Sequence, residues 1–153
     1  MNSLQTKVRG NVSRMLDFLN ISLGNPAEPN YKMNKLHVYE NYVIFNHAVE
    51  EYGKLLYLRT LQPDANGNYT IEYRDKFRDH KTKFDLALVE LPESIKIVYS
   101  AQVGSDNTEP TWANRLNVLN TDIDDNGNPT DIIFDVDMDR LRNSVFDFRN
   151  FLQ

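Results

Sequence analysis

The sequence predicts a mainly α protein built as an up-and-down helical bundle. Three observations carry that expectation. Apolar residues recur three and four apart over several long stretches, the period of one helix face. Short clusters of Gly, Pro, Asn and Asp divide these stretches. The 153 residues, 41% hydrophobic and 25% charged, suffice for a single domain over 1–153 with its own core. Short connections between long amphipathic helices then imply antiparallel neighbours.

The first helix is expected over 3–22, with Leu4, Val8, Val12, Met15 and Leu19 at helical spacing. Gly10 weakens it by about 1 kcal/mol relative to Ala, and the Gly24–Asn30 loop ends it. A second helix spans about 34–61, with Asn34 as N-cap. Its apolar residues, from Leu36 through Phe45, Val49 and Tyr52 to Leu58, form a face broad enough for the centre of a bundle. Residues 63–68 turn the chain. A third helix is expected over about 71–91, capped by Thr70 and stopped by Pro92. Residues 94–101 fit either a strand or a short helix. A small extended or hairpin excursion is expected near 116–136, around Asn126-Gly127. A last helix follows from about Asp137, with Met138, Leu141, Val145, Phe148 and Leu152 on one face.

Composition narrows the chemistry. The absence of cysteine removes disulfides, thiolate metal sites and a cysteine nucleophile. A net charge of −5 argues against a surface that is basic all over, but not against a local basic site. No apolar run approaches the roughly 20 residues that span a bilayer. Lys7, Arg9, Arg14 and Asp17 interrupt any signal-peptide core. A soluble cytoplasmic protein, with no membrane partner, is the expectation.

Two segments carry reactive residues. Glu50-Glu51-Tyr52-Gly53-Lys54 lies within the second helix, and Arg74 to Lys83 (RDKFRDHKTK) opens the third. Glu50 and Lys54 stand four apart, a favourable helical pair. Gly53 inside a long helix costs stability and calls for a reason, such as close helix approach. An acid pair and a lysine beside arginines, lysines and a histidine form a plausible place to hold and cut a phosphodiester.

Together these segments resemble the EExGK…RxxHxxK pattern of the HEPN superfamily, in its abortive-infection V branch. Glu50, Glu51, Gly53 and Lys54 match the first part; Phe77, Arg78, His80 and Lys83 lie in the second. Arg115 to Asp122 resembles the branch's downstream "ALYVD"-like segment without its tyrosine. Arg74 and His80, with five residues between, satisfy the superfamily's Arg-x(4–6)-His motif.

The resemblance implies a HEPN-like bundle, an antiphage effector, and metal-independent RNA cleavage by attack of the ribose 2′-OH on the adjacent phosphate. His80 would be the acid/base, and Arg74 or Arg78 would hold phosphate oxygens. Lys54, Lys81 and Lys83 would bind the strand, and Glu50 or Glu51 would orient an arginine or lysine. No metal or other cofactor is implied. On an ideal helix Arg74 and His80 do not share a face, so a flexible first turn or a second subunit would complete the site. Superfamily members commonly dimerise, which makes a homodimer the expectation and a phage-encoded protein a candidate trigger.

Other readings of the same residues stay open. A non-catalytic HEPN-fold protein that blocks translation or senses a phage protein would carry the same pattern, and so would an unrelated helical protein. His80 can be a solvated helix residue, and His37 and His47 fit structural roles. Asp122, Asp124, Asn126 and Gly127 match the opening of a calcium loop. Pro129, and Ile133 in place of the bidentate Glu, break that match. Tyr69, Tyr73 and Trp112 could stack on bases.

Overall fold

Helix α1 (Ser3–Leu23) begins on a reciprocal cap. The Asn2 side chain accepts from Gln5 N, and the Gln5 side chain accepts from Asn2 N. Its buried residues, Val8, Val12, Leu16, Leu19 and Leu23, are spaced three and four apart and form one stripe. Gly24 closes the helix with φ +88°, and its N–H reaches Asn20 O at 2.9 Å. The positive φ explains the glycine.

A computed structural model of the chain describes residues 2–24, 38–71, 77–100, 126 and 138–153. Five helices account for most of them: α1, α2 (Val38–Thr60), α3 (His80–Glu90), α4 (Glu93–Ser100) and α5 (Met138–Leu152). There is no strand among the described residues. The Asn34 cap, His37, Tyr73, Arg74, Trp112, the Arg115 to Asp122 segment and the 116–136 excursion apart from Asn126 lie outside them.

Helix α2 is the centre of the packing. It touches α1, α3 and α5, while α1 and α4 each also pack on α5. Tyr42, Phe45, Ala48, Val49, Tyr52, Leu55, Leu56 and Leu58 are all buried. That breadth is what a helix needs when neighbours cover more than one side. Tyr52 meets Phe148 edge-on, with ring centroids 5.7 Å apart. His47 points outward on α2 and is exposed. Between α4 and α5, the Ser144 hydroxyl donates to Ser94 O, 2.9 Å away.

One expectation changes at the third helix. Ile71 and residues 77–79 are not helical, so α3 starts at His80 rather than near residue 71. The reason is local. Asp79 is the N-cap: its side chain accepts from Lys81 N at 3.2 Å and from the Thr82 hydroxyl at 2.6 Å. The Thr82 hydroxyl and the Lys81 and Thr82 amides hold the Asp79 carboxyl below the usual carboxylate range. Of the two readings open for 94–101, the helical one holds over 93–100, which form α4, with Pro92 at the break.

Gly53 of α2 has a packing reason. A Cβ built there would lie 1.8 Å from the Lys83 carbonyl oxygen and 2.5 Å from its carbon. Backbone meets backbone at this crossing. At Gly10 of α1 an added Cβ would meet nothing within 4 Å.

Gly53→Ala is therefore expected to destabilise by about 2 kcal/mol, overpacking outweighing helix propensity. Gly10→Ala is expected to stabilise by about 1 kcal/mol. Urea denaturation midpoints check both signs. Asp79→Ala removes a cap and costs about 1 kcal/mol at neutral pH. Because the folded carboxyl titrates below its unfolded value of roughly 3.9, the cap's contribution is present above that pH. It is lost as pH falls through the folded value. Melting curves of the two proteins should converge in acid.

Candidate functional site

The acid pair of α2 divides between two neighbours, because adjacent helical residues point about 100° apart. Glu50 turns toward α3. Its side chain is 5% exposed, and Oε2 lies 3.1 Å from His80 Nδ1. Glu51 turns toward α1. It accepts from Asn11 Nδ2 at 3.1 Å through Oε1 and from Lys54 Nζ at 2.8 Å through Oε2. Lys54 thus takes Glu51, three residues back, as its partner. The expected i, i+4 arrangement had paired it with Glu50. The Lys54 ammonium also stands 5.1 Å from the centre of the Phe77 ring, a cation–π contact.

The glycine crossing sets this geometry. Gly53 abuts Lys83, and Glu50 and His80 each stand three residues earlier on their own helices. Burying a carboxylate is costly unless it is paired and hydrogen-bonded. Here the imidazole supplies that partner while keeping its own side chain 59% exposed. An ionised Glu50 carboxylate only accepts hydrogen bonds, and Nδ1 then carries the hydrogen. The neutral ring then has its lone pair on Nε2, the nitrogen not engaged by Glu50.

The other residues of the site distribute unevenly. Arg78 is exposed in the turn just before α3. Lys81 is exposed and bonds Asp85 at 2.7 Å. That hydrogen bond raises its pKa and keeps it cationic. Lys83 is buried, its backbone under Gly53. Arg74 lies outside the described residues. Among the described residues no group of three His, Asp or Glu is placed to hold a metal ion. No helix among them is long and apolar enough to cross a membrane.

The described residues of the two segments are coupled differently from the expectation. The expectation gave the acid pair to an arginine or lysine, which is the fate of Glu51. The pairing of Glu50 with a histidine 30 residues away leaves no local trace. The Asp79–Thr82 cap did have a signal, an Asp followed three residues later by Thr at the start of an apolar run. No family model, curated protein or solved structure matches the chain.

Nitrogen-detected NMR at neutral pH should find the neutral His80 ring predominantly as the Nδ1–H tautomer. In Glu50→Gln the Nε2–H form should grow. An unchanged tautomer ratio would mean that Glu50 does not set the ring.

Proposed function

We propose that this chain is a metal-independent endoribonuclease of the HEPN, abortive-infection V kind. On this reading it is a cytoplasmic homodimer that acts against phage and answers to a phage-encoded trigger. The observation that carries the chemistry is the Glu50–His80 pair: a buried carboxylate holding a water-exposed imidazole. Helices packed around a central α2 are compatible with the HEPN-like bundle that the motif implies.

In the reaction, His80 Nε2 takes the proton of a ribose 2′-OH. The oxygen forms a bond to phosphorus and the bond to the 5′-oxygen breaks. The products are a 2′,3′-cyclic phosphate and a 5′-OH, which receives a proton from the imidazolium or from water. Glu50 stabilises the imidazolium as it forms and keeps Nε2 outward. Arg78 beside His80, with Arg74, supplies guanidinium forks matched to the nonbridging oxygens. Lys81 and Lys54 contribute positive charge to the strand's phosphates. Lys83, being buried, serves this site first by its backbone contact with Gly53.

The test is cleavage of total RNA and tRNA in EDTA. Wild type should leave cyclic phosphate ends. His80→Ala should lose about 10²–10⁴-fold in rate. Because it also removes the imidazole partner of the buried Glu50 carboxylate, its melting temperature should fall, and His80→Ala with Glu50→Gln should recover stability without recovering cleavage. Glu50→Gln should lower kcat by about tenfold or more, with KM little changed. Intact RNA at high enzyme excess, or full activity of His80→Ala, would overturn the proposal.

A further inference from the structure

Helix α1 carries charge in an unusual place. Residues 2–16 contain Lys7, Arg9 and Arg14 and no acid, in a chain whose net charge is −5. The first turn lacks the acidic residues that the helix dipole favours. Arg9 is used internally, donating to the Leu152 carbonyl. Lys7 and Arg14 are exposed. With Asn11 they stand at i, i+4 and i+7, on one face of the helix.

A chain of contacts leads from that face to the turn before His80. Arg14 donates to the Asn11 side chain. Asn11 donates to Glu51, Glu51 holds Lys54, and Lys54 lies over Phe77, three residues before His80. In the other direction, Lys7 opens onto a cavity of about 590 Å³ between the start of α1 and the 64–68 turn. Asn66, Asn68 and Tyr69 line its far side. The turn is well fixed: Asp64 Oδ1 accepts from the Asn66 and Asn68 amides, both at 2.9 Å, and Gly67 takes φ +81°. The cavity therefore combines the Lys7 cation, the side-chain amides of Asn2, Asn66 and Asn68, and the ring of Tyr69, whose hydroxyl accepts from Asn2, groups of the kind that hold a phosphate and an unstacked base.

We infer that the Lys7–Asn11–Arg14 face of α1 and the adjoining cavity form a track for single-stranded RNA, leading from His80 to a base-binding end beside Tyr69. The inference rests on the ribonuclease reading for its choice of RNA. From Lys7 to Arg14 the helix rises about 10 Å, so the track engages an oligonucleotide and is out of reach of a short fragment bound at His80. Its phosphate contacts are electrostatic, and its base contacts tolerate any sequence.

The experiment measures binding alone, by fluorescence anisotropy with 2′-O-methyl RNA, which cannot be cleaved. A decamer and a trimer are titrated over a range of NaCl with the full chain. The decamer should bind wild type more tightly than the trimer does. Lys7→Gln and Arg14→Gln should each reduce the slope of log affinity against log salt by about 0.7, and together should erase the decamer's advantage. Lys96→Gln, on α4, removes the same charge elsewhere and should leave the slope unchanged. At the cavity, Asn68→Ala and Tyr69→Leu should weaken the decamer by about fivefold; Asn68 is exposed, so its variant keeps the fold if Tyr69→Leu does not. Equal effects of Lys96→Gln and Lys7→Gln, or no length dependence in wild type, would overturn the track. Decamer binding that needs Lys7 and Arg14, in a protein that cuts no RNA, would overturn the ribonuclease reading and support the track.

Discussion

The contact between Gly53 and the Lys83 carbonyl is the constraint on which the rest of the site depends. Two helices that meet through side chains keep their axes about 8–10 Å apart. With no Cβ at residue 53, α3 comes in until its backbone occupies the space where a methyl would be. A short carboxylate side chain on α2 can then reach the first residue of α3, as the 3.1 Å separation between Glu50 and His80 requires. A wider crossing would carry the Glu50 carboxylate out of reach of the His80 ring. The helix-propensity penalty at Gly53 and the carboxylate–imidazole pair are thus parts of one arrangement.

The consecutive acids add a second constraint. Glu50 and Glu51 are neighbours in sequence, yet one is bound to the start of α3 and the other, through Asn11, to α1. One dipeptide of the central helix therefore ties down both flanking helices near the same level of the bundle. Lys54, held between Glu51 and the Phe77 ring, also fixes the turn that leads into α3. Asp79 completes that turn by capping the helix from below. His80 is thereby held on its backbone side by the cap and on its ring side by Glu50, while the remaining edge stays open to water. Rigid support around one exposed nitrogen is the disposition that preorganised acid–base chemistry calls for.

The sequence made legible whatever depends on local period and local chemistry. The apolar stripe of α1, the breadth of α2, the face of α5 and the break at Pro92 follow from spacing and from residue type. Gly53 was legible as a close approach because a glycine within a strong helical pattern is destabilising by itself. The start of α3 was not, because Thr70 and Asp79 are both acceptable caps. The choice of Asp79 turns on hydrogen bonds to Lys81 and Thr82 that form only once the helix begins at His80. The partner of Lys54 was misread for a related reason: i, i+3 and i, i+4 acids were both present, and burial of Glu50 against α3 decided between them. Glu50–His80 is a tertiary contact, and no periodicity reports it.

The charge distribution follows the same logic of separation. An acidic chain meets a polyanion only if its cations are gathered and its acids are either removed or neutralised locally. Several acids near His80 are engaged in hydrogen bonds. Glu50 is buried against an imidazole, Glu51 is bonded to Asn11 and Lys54, and Asp79 is spent on a helix cap. Meanwhile the first sixteen residues carry three cations and no acid. Screening at physiological salt limits exposed charges to an influence of about 8 Å. The potential at His80 is therefore set by the charged groups within that range, with the net charge of the whole molecule a minor factor. Glu50 and Glu51 are each engaged by another side chain, whereas the Asp79 carboxyl, held below its usual range, stays charged beside His80; what gathers positive charge in this acidic chain is the stretch of its first sixteen residues.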